Sequence, residues 1–309
     1  MESYFIREKI IKIVRNFFYS RDFHEVIPPI LNSALPLEPH LKPFTTTHTF
    51  EDAKEVFYLP MSPEKGIKQM ISQGIGNCFA ISQSFRNYER IGPLHAHEFL
   101  MLEWYRKDAT YKDIMAEVEV LLGIIDAQMS RHMMVKNKHF PRFSLELIFE
   151  KICGEKLSTL AANDSLLRKI AKEKGFTVER NTTWQELYDQ LFVSEIEPIL
   201  PQEPLFLIDF PARISPLCTV QKNNPFFVER FELYIHGIEL ANGNTENTDT
   251  KSIRAQFEKE HKTTKMPIDE AFLGSLELMK GHTYGGVGLG IDRLAMMYAK
   301  NESIHSHIV

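Results

Sequence analysis

Cysteine is scarce. The 309-residue chain holds three, Cys78, Cys153 and Cys218, far apart and in no Cys-x-x-Cys spacing. That pattern excludes a disulfide framework and a cysteine-based zinc site, and it favours a reducing compartment. Long apolar runs are also lacking: none approaches the roughly 20 residues that a membrane span needs, so no membrane partner is expected. Positive charge is not in excess, because 36 Lys+Arg against 41 Asp+Glu leave a net charge of −5. No global field therefore draws the chain to nucleic acid or anionic lipid. His95 and His97 have no further histidines at ligand spacing, which argues against a metal cluster there. Internal repeats and low-complexity tracts are absent. What remains is ordinary globular composition, 43% hydrophobic and 25% charged, in a chain expected to be cytoplasmic.

Periodicity outlines an α+β organisation. Ile6, Ile10, Ile13, Val14, Phe17 and Phe18 recur at helical spacing with charges between them, which reads as an amphipathic docking helix rather than a signal peptide. His24–Leu31 reads as a short strand broken by Pro28 and Pro29. Cys78–Arg86 and Glu98–Arg106 read as an antiparallel pair, followed by a helix over Tyr111–Met129. Residues 137–203 are denser in charge, with short helices at Leu145–Cys153 and Leu166–Lys174 and a capping box at Thr183 and Glu186. They read as a helical insertion beside the main sheet. Leu205–Phe210 and Val228–Leu240 return to strands, and Ile253–His261 to helix.

Four blocks carry chemistry. In GGVGLGIDR (Gly285–Arg293) four glycines remove bulk and permit positive φ, and Arg293 leaves the strand at a helix start, where it can meet a phosphate. The alternative is a tight strand–helix packing joint. In EFLMLEWYR, alternation puts Phe99, Met101, Glu103 and Tyr105 on one face. A glutamate among apolar neighbours needs a positive partner, either a nearby arginine or a cationic ligand. In GIELANGNTE, Glu239 and Glu246 bracket a presumed turn at Asn242 and Gly243 and could converge on a hard cation. The bland alternative is a polar strand end. In LPMSPEKGIKQM, Ser62 reads as an N-cap with Pro63 at the first helical position, leaving Glu64 to complement the helix dipole or reach a ligand ammonium.

Together these blocks resemble the class II aminoacyl-tRNA synthetase catalytic domain in its lysyl branch. HEVIPP is similar to that superfamily's first motif, which builds a homodimer interface. FRNYE with EFLMLEWY is similar to the second and GVGLGIDR to the third, while ELANGNTE matches the lysyl branch's E-x-x-N-G-x-x-E. The resemblance runs over nearly the whole chain. It implies an antiparallel sheet flanked by helices, in a single catalytic domain over 1–309. Lysyl-tRNA synthetases carry an N-terminal anticodon-binding β-barrel, and here the motifs begin at His24, so no anticodon-binding domain is expected. SPEKGIKQM and ERFELYIHGIELANG resemble the compact elongation factor P–lysine ligase family, which uses ATP to join lysine or (R)-β-lysine to a lysine side chain of elongation factor P.

By that resemblance Arg86 binds the α-phosphate and substrate carboxylate, Glu89 the adenine amino group, and His95 the terminal phosphates. Phe99 stacks on the base, and Arg293 clamps the γ-phosphate. Glu239 and Glu246 hold Mg²⁺ with Asn242 beside them. Ser62, Glu64, Glu103, Tyr105 and Gly288 line the amino-acid pocket. Three places depart from the family pattern. The acidic residue of FRNYE lies three after Arg86, so either Tyr88 or Glu89 faces adenine. Asn-Thr-Asp follows Glu246, and Gly288 stands where the elongation factor ligases carry alanine. The missing methyl widens the pocket, and acceptance of α-lysine at least as well as the β-isomer is expected. The rival readings are a free-standing lysyl-tRNA synthetase-like enzyme acylating tRNA, a non-catalytic regulatory paralogue and an ammonia-using amidoligase. The acidic net charge disfavours stable tRNA binding.

Overall fold

The computed structural model describes residues 2–38, 41–87, 92–129 and 139–306. Among the described residues ten strands form, in chain order: β1 (His24–Glu25), β2 (Thr45–Phe50), β3 (Ala53–Tyr58), β4 (Cys78–Phe85), β5 (Glu98–Lys107), β6 (Arg142–Ser144), β7 (Leu205–Ile208), β8 (Arg230–Ile235), β9 (Ile238–Thr245) and β10 (Tyr284–Gly290). Strands β2 and β3 make a separate, largely exposed hairpin, and the others assemble in the order β1-β4-β5-β10-β9-β8-β7-β6. The six central strands are antiparallel, while the edge pairs β1–β4 and β6–β7 are parallel. Parallel edges are the one departure from the antiparallel sheet that the sequence suggests.

Helices cover the sheet unequally. One face is sealed by α1 (Glu2–Tyr19), α3 (Tyr111–Met129) and α10 (Ile291–Ala299), whose apolar stripes meet Leu100, Leu102, Trp104, Val287 and Leu289 in the main core. On the other face α2 (Glu64–Ser72), α8 (Thr250–Thr264) and α9 (Glu270–Met279) pack around Cys78, Ala80, Tyr105 and Tyr284. Towards the β6 edge, α4 (Leu145–Cys153), α5 (Leu157–Ala162), α6 (Asp164–Glu173) and α7 (Trp184–Leu191) bury a third cluster against β7 and β8. Between the second and third clusters the sheet stays open. No described helix is long and apolar enough to cross a membrane.

Several boundaries moved for local reasons. Only His24 and Glu25 of the 24–31 run pair in the sheet; Pro28 and Pro29, without N–H groups, cannot extend the ladder. Val228–Leu240 is a hairpin rather than one strand, since His236 and Gly237 both take positive φ, the requirement of a tight two-residue turn. Helix α2 begins at Glu64 with Pro63 at its cap, although Ser62 Oγ still accepts the Glu64 N–H at 3.3 Å. The Thr183–Glu186 capping box forms. The β2–β3 hairpin, α5 and α9 lay in segments for which the sequence suggested no element.

Glycine in β10 serves clearance rather than backbone freedom, because none of its glycines has positive φ. A Cβ on Gly286 would stand 2.3 Å from the Tyr105 ring. Gly286→Ala is expected to destabilise the fold by about 1–3 kcal/mol through overpacking. Gly274, exposed in α9 with nothing within 4 Å of its would-be Cβ, provides the contrast. Gly274→Ala should stabilise by about 0.5–1 kcal/mol, and urea titration of both variants checks the opposite signs.

Candidate active site

Strand register lays the site out in rows. One row across β5, β10, β9 and β8 reads Glu103, Gly288, Asn242, Glu232, and the next reads Tyr105, Gly286, Asn244, Arg230. All eight residues point to the open face and line a cavity of about 480 Å³. The two glycines leave β10 bare as a trough between β5 and β9, whose backbones stand two strand spacings, roughly 10 Å, apart, and the Tyr105 ring leans across Gly286. Glu103 and Tyr105 form one wall, and Asn242 and Asn244 form the other.

Beneath the Tyr105 end of the trough lies a cation. Lys68, on α2, has no solvent exposure, and its ammonium is paired with Glu64 one turn earlier and with Glu246 Oε2 at 2.5 Å. Burial alone would lower its pKa, but the two carboxylates outweigh that and hold the ammonium above its ordinary range. Glu246 Oε1 accepts from Asn244 Nδ2 at 3.0 Å, so both its oxygens have partners. Glu103 accepts the Tyr105 hydroxyl at 2.7 Å. Burial, then the charge of Glu64, pushes Glu103 up to about 8 against the pull of Tyr105 and Lys68. Glu38 lines the same cavity and is raised to about 7, chiefly by burial and next by Glu64.

The expected cation pair, Glu239 with Glu246, is not brought together. Gly243 sits mid-strand in β9 instead of at a turn, so the two carboxylates lie roughly 20 Å apart along the chain. Glu246 is committed to Lys68 and Asn244. Glu239 has a different neighbour. An extra residue in β9, Leu240, shifts the register between Leu233 and Tyr234 and turns Glu239 onto the cavity face, beside Glu232. Burial, then Glu239, pushes Glu232 up to about 8. Asn242 stands in this group: it donates to Glu232 at 3.2 Å and accepts from Arg230, which itself binds Glu232 at 2.6 Å.

The far end of the cavity carries the arginines. Arg293, in the first turn of α10, donates to the Leu94 carbonyl (3.2 Å) and the Glu239 carbonyl (2.6 Å) and lies 3.1 Å from His95 Nε2. Its neighbour Asp292 accepts the Leu100 N–H at 2.6 Å and pairs with Arg7 at 2.8 Å, tying α10 to β5 and α1. Arg86 follows β4, with its guanidinium 5.2 Å above the Phe99 ring. The Arg86 backbone N–H donates to the His97 carbonyl at 3.0 Å. The structure thus gathers Ser62, Glu64, Arg86, His95, Phe99, Glu103, Tyr105, Glu239, Asn242, Gly288 and Arg293 around one cavity. Tyr88 and Glu89 lie outside the described residues. One end suits a cationic guest and the other a polyanion.

Comparison with known proteins agrees with this layout. The family profile of class II tRNA synthetases (D, K and N) matches residues 2–309. The chain belongs to that family. Among relatives of the class II synthetase, the lysine–tRNA ligase of Shewanella piezotolerans is 30% identical over 327 residues, covering 100% of this chain and 64% of the relative. That of Vibrio cholerae is 31% identical over 329 residues, covering 99% and 63%. The chain therefore spans less than two thirds of these ligases. An elongation factor P–(R)-beta-lysine ligase homolog of Aquifex aeolicus is 32% identical over 304 residues, covering 98% of this chain and 96% of the relative.

Lys68, Arg230, Glu232 and Asn244 were missed from sequence. Glu232 carries the same signal that singled out Glu103, an acidic residue alternating with Phe231 and Leu233 in a strand. Lys68 lies four residues after Glu64 on a helix, the spacing of an ion pair. Because the folded state binds the Glu103 proton more tightly than an ordinary glutamate of pKa 4.5, its stabilising contribution is full below that value and is lost as pH rises through about 8. Thermal melting of the ligand-free protein should fall from pH 5 to about 8.5, and Glu103→Gln should flatten the fall; parallel curves for the two proteins would refute it.

Proposed function

We propose that this chain activates lysine or a lysine-like amino acid with ATP as an aminoacyl-adenylate, and transfers the acyl group to an amine. The observation that carries this reading is the polarity of one cavity, with carboxylates Glu64 and Glu103 at one end and Arg86 and Arg293 at the other. A guest joining an ammonium to a phosphate-bound carboxylate matches both ends. A basic pocket, which an acidic amino acid needs, is contradicted by Glu64, Glu103 and Glu246. The working unit is read as one catalytic domain, with the helices of residues 139–203 as an insertion.

In the reaction the substrate carboxylate attacks the α-phosphorus in line and pyrophosphate leaves. No enzyme nucleophile is needed, so the protein's part is positioning and charge stabilisation. Arg86 sits where the carboxylate and α-phosphate meet, Phe99 offers a ring to the base, and Arg293 with His95 faces the outer phosphates. The donor set fits Mg²⁺: two carboxylates act on each other at the cavity, Glu239 at 3.7 Å from Arg293 and Glu232 held by Arg230 and Asn242, and a third is not required when phosphates and water complete the shell. Bound there, the ion would neutralise charge on the phosphates. In the second step an acceptor amine attacks the adenylate carbonyl, AMP departs and an amide forms.

The acceptor we favour is a lysine side chain of elongation factor P. The name of the Aquifex aeolicus relative, which matches this chain end to end, supports that choice, as does the net charge of −5, which is ill suited to gripping a polyanion. A homodimer is supported by the patch of Ile27, Ile30 and Leu31, exposed at 92%, 42% and 55%; light scattering reads the mass.

Lysine-dependent ATP–pyrophosphate exchange tests the first step. Arg86→Ala and Arg293→Ala should each lose ~10²-fold or more in turnover, the scale of one preorganised transition-state donor; near-normal exchange in both sinks the assignment. Glu232→Gln should raise the Mg²⁺ concentration needed for half-maximal exchange, whereas Glu246→Gln should instead raise the lysine requirement. The reverse pattern would restore Glu246 as the metal ligand. Labelled α-lysine and (R)-β-lysine, offered with ATP to elongation factor P and separately to bulk tRNA, decide acceptor and isomer. Label is expected on the protein, with α-lysine at least as effective; label on tRNA alone, or a strong β preference, would overturn those choices.

A further inference from the structure

We propose that Asn244 is a substrate-contacting, specificity-determining residue, whose side-chain carbonyl accepts a hydrogen bond from the side-chain ammonium of the amino acid. This deepens the activation reading above and rests on it. Three observations place the residue. Register sets Asn244 directly opposite Gly286, with Tyr105 on the far side of that glycine, so Asn244 and Tyr105 are the two walls of the trough at one level. Asn244 lines the cavity and is only partly buried, so its amide is reachable. Its one side-chain hydrogen bond among the described residues runs from Nδ2 to Glu246 Oε1 at 3.0 Å.

That bond fixes which way the amide points. Burial pushes Glu246 up to about 7 against the pull of Lys68, and in its ionised form it can only accept, so the NH₂ end of Asn244 faces Glu246 at 3.0 Å. The carbonyl end is left for the trough. The orientation is therefore enforced through a chain of three groups, Lys68 holding Glu246 and Glu246 holding Asn244. On the opposite wall Glu103 and Tyr105 already share a hydrogen bond. An ammonium carries three donors and no acceptor, so a guest arriving between the walls needs acceptors from both sides. Glu103 supplies one from its wall and Asn244 the other. Glu246, with both oxygens occupied, acts here as a positioning residue.

The test is steady-state ATP–pyrophosphate exchange with L-lysine. Asn244→Leu, close in size and without the acceptor, should raise the KM for lysine tenfold or more, the scale of a hydrogen bond to a charged group. Its kcat and its KM for ATP should stay within about twofold, which general damage to the sheet would not allow. Asn244→Gln, which keeps both the donor for Glu246 and an acceptor, should raise the lysine KM less than Asn244→Leu does. Unchanged lysine KM in Asn244→Leu, or a parallel rise for ATP, overturns the assignment. Equal impairment in the Gln variant does so as well. Absence of any lysine-dependent exchange in the natural protein would overturn the activation reading itself. Calorimetric titration with L-lysine then judges Asn244 separately: tenfold weaker binding to Asn244→Leu supports the contact, and equal binding refutes it.

Discussion

A single buried ammonium organises the amino-acid end of the molecule. Lys68 joins α2 to the residue just after β9 across 178 positions of sequence, and its partners Glu64 and Glu246 would otherwise face Glu103 as uncompensated negative charge. Such an ion pair is a poor source of net stability, since desolvation offsets most of the attraction. Removing one partner is another matter, costing about 3–5 kcal/mol because the remaining charges are stranded. The arrangement therefore specifies geometry more than it adds stability. It fixes Glu246, orients Asn244 and leaves Glu103 as the one of these three carboxylates that is not paired with Lys68.

Features legible in the sequence depended on one element at a time. The alternation of β5 is local, so Glu103 and Tyr105 could be put on one face from their spacing, and the length of α3 followed from its apolar stripe. Relations between elements were not legible. Whether Glu239 and Glu246 converge depends on whether Gly243 turns the chain, and it does not, because Gly243 is needed for clearance: a Cβ there would meet the Phe231 ring and the Gly286 carbonyl at under 3 Å. The same glycine content that suggested a turn marks a crowded strand. Glu232 was overlooked because its partner, Glu239, reaches it only through a displaced register.

The insertion beside the sheet is joined to the site by more than adjacency. Glu197, just past its last helices, accepts the Tyr234 hydroxyl at 3.0 Å, and the same hydroxyl lies 3.3 Å from Glu232. A phenol has one proton to donate, so the two carboxylates compete for it. Burial raises the pKa of both. The insertion is thereby wired to Glu232, while Arg230, 4.4 Å from the Phe210 ring, supplies the compensating charge.

The bulge at Leu240 divides β9 into two phases. Before it, odd positions such as Glu239 look into the cavity; after it, even positions such as Asn242 and Asn244 do. The phosphate-facing and amino-acid-facing stretches of one strand are consequently addressed by separate parity rules. Deleting Leu240 would join Ala241 to Glu239 in regular alternation, leaving both the glycine trough and Glu239 on the cavity face. The strand behaves as two modules spliced at one residue, each able to vary its contents without rephasing the other.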